Sequence, residues 1–223
     1  MYSAIVLAAG VGSRMGLGFN KMLYSIHDKP VVIHTIQKFL KDERCSQVIL
    51  VVNEAEVEVI TDLVTPNDRL HIVLGGDQRQ DSVWQGLQVV KEEVVLVHDG
   101  ARPFVNQRMI DECYELGIAG LASVVGVAAK DTVKRVNNRF VIETLDRNEI
   151  YNVQTPQAAP TKLLRFAHEQ AIKEQFWGTD EASLVEKYTD ASVRVVEGSY
   201  ENIKLTTPED LLLAELLLRK EDN

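Results

Sequence analysis

Residues 4–16 read Ala-Ile-Val-Leu-Ala-Ala-Gly-Val-Gly-Ser-Arg-Met-Gly, and Lys21 follows a few residues later. An apolar run that passes straight into glycines predicts a buried first strand ending in a loop. Backbone N–H groups in such a loop can cradle phosphate oxygens, and Arg14 and Lys21 place full positive charges beside them. Two familiar phosphate loops are excluded by spacing. After Gly10 and Gly12 the next glycine is Gly16, one residue too late for the dinucleotide fingerprint, and the Gly-Lys-Ser/Thr ending of a P-loop is absent. The stretch predicts a site for nucleotide phosphates at the end of strand one.

The chain on either side repeats that logic. Short apolar runs at 4–8, 47–52, 71–74, 94–98 and 122–128 read as strands. Segments at 30–40, 54–64 and 81–90 read as helices between them, with Pro30 suited to a first turn. This alternation predicts an α/β fold around an open, mainly parallel sheet, whose ligands bind beyond the carboxyl ends of the strands. Residues 130–154 break the rhythm. They are polar and β-prone, with Asn137-Asn138 as a turn signal between 132–136 and 140–143. A lone two-stranded excursion is marginal in water, so the segment predicts a protruding β-arm that packs on a second subunit. Helices at 161–174 and 180–187, a strand at 193–196 and a last helix starting at Thr207-Pro208-Glu209-Asp210 complete the chain. No repeat, linker or composition break divides it, which predicts one domain over residues 1–223 with the arm at 130–154.

Composition bounds the function. Lys and Arg number 24 against 33 Asp and Glu, a net charge of 24 − 33 = −9. No global field attracts a polyanion, which argues against nucleic acid and anionic membranes as partners. Cys45 and Cys113 lie far apart and predict reduced, buried thiols. His-x-x-x-His and Gly-x-Ser-x-Gly are absent, so no zinc-protease or hydrolase elbow is present. With no signal-peptide pattern and no apolar stretch of membrane-spanning length, a cytoplasmic protein is expected.

Candidate chemistry sits where strands end. His98-Asp99-Gly100-Ala101-Arg102-Pro103 follows the most apolar strand. Asp99 there can hold Mg²⁺, a hard cation that takes oxygen ligands. Arg102 either neutralises Asp99 or meets a substrate phosphate, and His98 reads as structural. In Gly75-Gly76-Asp77-Gln78-Arg79-Gln80-Asp81-Ser82, either Asp77 or Ser82 reads a base edge, or Asp81 or Ser82 caps the next helix. Lys130, Thr132, Lys134, Arg135 and Arg147 are read as a solvated basic arm, Lys204 as a surface lysine, and Thr179-Asp180-Glu181 as a helix start.

In order along the chain, Leu7-Ala8-Ala9-Gly10-x-Gly12-x-Arg14-Met15, Lys21, Gly75-Gly76-Asp77-x-Arg79-x-Asp81-Ser82, His98-Asp99-x-Ala101-Arg102-Pro103, Asp131-Thr132-x-Lys134-Arg135, Asp146-Arg147-Asn148, Thr155-Pro156-Gln157, Thr179-Asp180-Glu181 and Asn202-Ile203-Lys204 resemble the 2-C-methyl-D-erythritol 4-phosphate cytidylyltransferases of the non-mevalonate isoprenoid pathway. The resemblance implies a Rossmann-like nucleotidyltransferase fold and a homodimer that uses CTP and methylerythritol phosphate with Mg²⁺. It implies that Ala8, Ala9, Gly10 and Gly12 wrap the CTP phosphates, with Arg14 and Lys21 on the α-phosphate. Gly76, Asp77 and Ser82 would recognise cytosine, and Asp99 would lie by the metal. Asp99, Arg102, Thr132, Arg147, Thr155, Thr179 and Lys204 would hold the sugar phosphate, and Arg14, Lys21, Arg147 and Lys204 would carry catalysis. The arm would dimerise and bring Thr132 and Arg147 near the partner's site.

Two departures stand out. Many members have Pro-Lys-Gln where this chain has Asn20-Lys21-Met22, so a looser loop is expected here. Gly100 stands where Ala is common. The alternatives are a ribitol 5-phosphate cytidylyltransferase on the same fold, and a nucleotide-binding sensor without turnover.

Overall fold

The computed structural model describes residues 1–10 and 20–221. In chain order its elements are β1 (Tyr2–Leu7), the two-residue strands β2 (Ser25–Ile26) and β3 (Lys29–Pro30), α1 (Val31–Leu40), β4 (Cys45–Val52), α2 (Val57–Leu63), β5 (Leu70–Leu74), α3 (Arg79–Val89), β6 (Val94–Asp99), α4 (Gln107–Ile118) and β7 (Ala122–Ala128). There follow β8 (Lys134–Asn137), β9 (Phe140–Thr144), β10 (Tyr151–Pro160), α5 (Thr161–Glu174), α6 (Glu181–Tyr188), β11 (Val193–Glu197) and α7 (Pro208–Glu221).

Seven strands form one sheet in the order β11-β7-β10-β6-β1-β4-β5. All neighbours are parallel except β10, which runs antiparallel to both β6 and β7. Residues alternate between two helical layers, as the pleat requires. Ala4, Val6, Val48 and Leu50 pack toward α1, α4 and α7 on one face. Ile5, Ile49, Val51 and Val97 pack toward α3, α5 and α6 on the other. With helices on both faces the central strands carry apolar residues at nearly every position, which is why they read as continuous runs in the sequence.

The chain leaves β1 to build β4 and β5 on one side, then crosses back to lay β6 on the other. The crevice at the carboxyl ends of β1 and β6 is therefore a topological switch point, where open α/β sheets bind ligands. Leu7 and Asp99 face each other there as paired residues.

The structure corrects the sequence reading in several places. Residues 151–160 form a ten-residue strand in the middle of the sheet, whereas 130–154 was expected to be wholly outside it. Pro156, Pro160 and the polar Gln154, Thr155 and Gln157 hide the strand from an apolar pattern. Its ladder breaks between Val153 and Gln157, which accommodates that sequence. The sequence reading also passes over α4. Its signals are present: the Asn106 side chain accepts the Met109 N–H at 3.1 Å, and Met109, Ile110 and Cys113 form the buried stripe. The arm hairpin turns at Asn138-Arg139, both at positive φ (46° and 67°), one residue later than expected. This is the two-residue turn whose twist suits a hairpin. Pro30 is the N-cap of α1, not its first helical residue. Residues 54–64 divide into a 3₁₀ turn, Glu54–Glu56, followed by α2.

Candidate active site

Asp99 ends β6 with its side chain among cations. Lys204 Nζ lies 2.6 Å from Oδ2 and Arg79 Nε 3.2 Å from Oδ1. Burial alone would raise the Asp99 pKa. The charges of Arg79, then of Lys204, outweigh it and hold the carboxyl well below the ordinary carboxylate range. Arg79, at the start of α3, is fixed from behind by Glu181, whose oxygens accept Nη1 at 2.7 Å and Nη2 at 3.0 Å. This fork-to-fork geometry is the strong form of an ion pair. The sequence reading quoted Arg79 and Glu181 without giving either a role. The signal that was available is an Arg at the first helical position after a glycine turn, beside a strand-end Asp.

The charge of Arg102 helps to hold Asp99 ionised, as one reading expected, but without a hydrogen bond to the carboxylate. Its Nη1 donates to the Asn202 carbonyl at 2.7 Å, and its Nε is buried with no hydrogen-bond partner. Burial, with the like charge of Arg79, lowers its pKa despite Asp99 nearby. That bond also ties the Asn202–Lys204 segment to β6. The tie is reinforced where the Leu205 N–H donates to the Ala101 carbonyl at 2.9 Å and where Asn202 Nδ2 donates to the Thr155 carbonyl at 3.0 Å. Lys204 is therefore placed on Asp99 by its backbone and is not an independent surface lysine.

His98 is structural, as expected, and its tautomer follows from its partners. Nε2 lies 3.0 Å from the Arg102 carbonyl, which can only accept, so Nε2 carries the proton. Nδ1 then accepts from the Thr155 hydroxyl at 3.0 Å, whose oxygen in turn accepts the Asp99 N–H at 3.0 Å. Burial pushes the His98 pKa down to about 4, consistent with a neutral ring. The Thr155 hydroxyl, buried and engaged on both sides, supports the backbone of Asp99.

The glycine-rich segments meet above this group. Ala8 donates to the Val51 carbonyl at 2.7 Å, and Gly75 to the Val52 carbonyl at 2.8 Å, which brings the exits of β1 and β5 side by side. A Cβ on Gly75 would lie 2.8 Å from both Ala9 Cβ and Ser82 Oγ, so only glycine allows this approach. Ser82 is buried and its Oγ accepts the Gly76 N–H at 3.2 Å; Asp81 accepts the Gln78 N–H at 3.0 Å. Both polar side chains therefore shape the turn, while Asp77 on the same turn is exposed.

Gly12 and Arg14 lie outside the described residues; Gly10 is exposed at their edge. Lys21 opens a 3₁₀ turn, Lys21–Leu23. Residues 11–19 of the loop expected to be looser lie outside the described residues; at its described edge the chain is held. Asn20 is buried, its Nδ2 donates to the Ala8 carbonyl at 3.0 Å and to Glu56 Oε2 at 2.6 Å, and its Oδ1 accepts the Met22 N–H at 3.0 Å. Hydrogen bonds fix the backbone where proline would have fixed φ. A Cβ on Gly100 would overlap Met22 Cε and sit 2.7 Å from the Leu7 carbonyl, so Met22 packs against bare Cα there.

Thus Ala8, Ala9, Gly75, Ser82, Asp99, Thr155, Lys204 and Arg102 gather at the β1–β6 crevice. Thr132 and Arg147 do not contact that cluster. They are exposed at the base of the arm, where Arg147 Nη1 donates to the Lys130 carbonyl at 3.2 Å. Thr179 is exposed just ahead of α6, whose N-terminus Asp180 caps by accepting the Ser183 N–H at 3.0 Å. Among the described residues no group of three or more His, Cys, Asp or Glu could hold a metal by itself, and no helix is long and apolar enough to cross a membrane.

Comparison with known proteins agrees with this geometry. The family model of 2-C-methyl-D-erythritol 4-phosphate cytidylyltransferase matches residues 2–220. The chain is 46% identical over 224 residues to the enzyme of that name from Bacillus velezensis, covering 99% of this chain and 97% of the relative. It is 48% identical over 222 residues to the one from Bacillus cytotoxicus, covering 98% of each. The solved 4-diphosphocytidyl-2C-methyl-D-erythritol synthase of Anaerococcus prevotii superposes with a TM-score of 0.89 at 31% identity, over 98% of both chains. That of Thermus thermophilus superposes at 0.80 and 28%, covering 98% of this chain and 100% of the other. With its sequence and its α/β fold both matched from end to end, the chain belongs to the 2-C-methyl-D-erythritol 4-phosphate cytidylyltransferase family.

Proposed function

We propose that the β1–β6 crevice transfers CMP from CTP to 2-C-methyl-D-erythritol 4-phosphate. The products are 4-diphosphocytidyl-2-C-methyl-D-erythritol and pyrophosphate. A phosphate oxygen of the sugar attacks the α-phosphorus in line, and the bond to the β-phosphate oxygen breaks. The observation that carries this reading is Asp99 at the switch point, held between Lys204 and Arg79, in a chain matched to the family over its whole length.

The phosphate dianion is already a nucleophile, so no general base is needed. The barrier lies in bringing two polyanions together and in charge that builds on the α-phosphoryl oxygens. Lys21 and Arg14, with the loop N–H groups after β1, answer the second difficulty. The Gly76–Ser82 turn holds the cytosine edge through Asp77 and backbone groups. Lys204, Arg102 and Thr179, together with Thr132 and Arg147 reaching in from the arm of a second copy of the chain, hold the sugar phosphate and so supply orientation.

A nucleotide-bound Mg²⁺ fits Asp99. Such ions keep one or two carboxylates and take the rest of their shell from phosphates and water. Asp99 offers one ionised carboxylate once Lys204 turns from Oδ2 to a substrate phosphate. When bound, the ion would neutralise phosphate charge.

Mixing the protein with CTP and methylerythritol phosphate should release pyrophosphate at least about tenfold faster than with ribitol 5-phosphate, a ratio worth ~1.4 kcal/mol. Preference for ribitol 5-phosphate would assign the other polyol, and CTP binding with neither released would make the chain a sensor. Arg147→Ala should raise KM for the sugar phosphate roughly 10- to 100-fold with kcat nearly unchanged, as loss of a charge-assisted contact made equally in ground and transition states would do. A change confined to the CTP KM would remove the arm from the sugar site.

We assign the arm to homodimerisation. Among the described residues the β8–β9 hairpin pairs only with itself, and Phe140, Val141 and Ile142 stand 77%, 60% and 55% exposed on it. A hairpin so short and so bare needs a partner surface. Phe140→Asp should weaken self-association by at least about tenfold, read by sedimentation across protein concentration. An unchanged dimer would place the interface elsewhere.

A further inference from the structure

Arg79 and Glu181 form a charged pair behind Asp99, and neither is assigned a contact with substrate in the reaction above. Their connections are unusual in reach. Arg79 is the first residue of α3 and directly follows the Gly75–Gln78 turn. Its guanidinium spans from Asp99, at the end of β6, to Glu181, at the start of α6 two residues beyond Thr179. Glu181 is only 4% exposed, so its charge is matched inside the protein.

The neighbouring residue repeats the connection without charge. Gln80 Nε2 donates to the Phe176 carbonyl at 3.1 Å, and its Oε1 accepts the Gly178 N–H at 2.9 Å. The first turn of α3 therefore fastens segment 176–181 at three points, on the same turn whose other end shapes the Gly76–Ser82 loop. Gln157 of β10 holds the far side, donating to Asp180 Oδ2 at 2.9 Å and accepting the Ala182 N–H at 3.1 Å. Asp99 meanwhile has two cations with different restraint. Arg79 is clamped by two bonds to Glu181, while the Lys204 side chain is 37% exposed and, among the described residues, bonds only Asp99.

From this we infer that Arg79 and Glu181 are positioning residues that couple the nucleotide and sugar-phosphate subsites. The clamp carries the placement of the Gly76–Ser82 loop to Thr179, and it keeps one fixed cation on Asp99 so that Lys204 is the cation that moves to an incoming phosphate. The inference rests on the cytidylyltransferase reading for the identity of the two ligands. It does not rest on turnover. Coupling of this kind shows as a change in one ligand's affinity when the other is bound.

The test is calorimetric titration of the full-length protein with methylerythritol phosphate, with and without a non-hydrolysable CTP analogue, for the wild type and for Arg79→Lys, Glu181→Gln and the double Arg79→Gln/Glu181→Gln. The double variant leaves no lone buried charge, which protects the measurement from simple misfolding. The analogue should tighten sugar-phosphate binding at least about fivefold in the wild type and less than about twofold in each variant. In steady state the variants should raise KM for the sugar phosphate more than KM for CTP. Variants that melt earlier yet keep the full analogue effect would show a purely structural pair and overturn the inference, as would a wild type in which the analogue has no effect. Absence of pyrophosphate release by the wild type would count against the reaction, whereas the analogue effect in the variants decides the clamp independently.

Discussion

Lys21→Ala should lower kcat by about 10²- to 10³-fold, ~3–4 kcal/mol, while the CTP KM moves only a few-fold, because a preorganised charge is worth most where charge develops. The local structure makes this substitution clean. Lys21 opens its 3₁₀ turn, but the turn is fixed by Asn20, whose amide bridges the Ala8 carbonyl and Glu56 and whose oxygen caps Met22. None of those three bonds uses the lysine side chain, and an unchanged melting temperature in the variant would mark the loss as chemistry and not as a displaced turn. Lys21→Arg should recover only part of the rate, since a planar fork does not reproduce a compact ammonium. Pyrophosphate release at saturating substrates measures both. An unchanged kcat in Lys21→Ala would take Lys21 out of the reaction.

Asp99→Asn should cost about 10³-fold in kcat/KM, ~4 kcal/mol, because it removes the carboxylate that pairs with Lys204 and that we propose would hold Mg²⁺. Its shape is retained, as is the Asp99 N–H bond to Thr155, so the backbone should hold. The same variant carries a stability signature. The native carboxyl titrates well below the ordinary value of 3.8 owing to Arg79 and Lys204, opposed by burial. A depressed folded pKa contributes stability that is complete above the unfolded pKa and is lost as pH falls through the folded one. Wild type should therefore melt higher than Asp99→Asn at neutral pH, and the gap should close only below about pH 4. A gap of the same size at every pH, or none at pH 7, would mean that the ion pairs contribute nothing.

How much of this was legible in the sequence depends on whether a residue's partner is local. The glycine turn at Gly75-Gly76, the strand end at Asp99 and the parallel sheet follow from patterns a few residues long, and the structure has them. The strand Tyr151–Pro160 was not legible, because its burial comes from neighbours on both sides and not from its own prolines and glutamines. The contact of Lys204 with Asp99 was equally hidden. It depends on a bond between Arg102 and the carbonyl of Asn202, 100 residues apart, which no spacing rule contains. Arg79 was visible as a motif letter, but its partner Glu181 is 102 positions away. The partners of Asn20 were not legible either. Loss of proline suggests freedom when φ alone is considered, whereas one buried amide makes three hydrogen bonds, two of them to residues distant in sequence.

The contact between Met22 and the bare Cα of Gly100 ties two distant positions together. The volume that a methyl group would need at position 100 is already filled by the end of the Met22 side chain, with the Leu7 carbonyl behind it. The two obstacles differ in kind. The Met22 methyl is the free end of a flexible side chain and can turn aside, whereas the Leu7 carbonyl is backbone at the exit of β1 and yields only if the strand end shifts. Since Lys21 and Asp99 are the immediate neighbours of positions 22 and 100, a side chain acquired at 100 would press on the strand end between these charged residues.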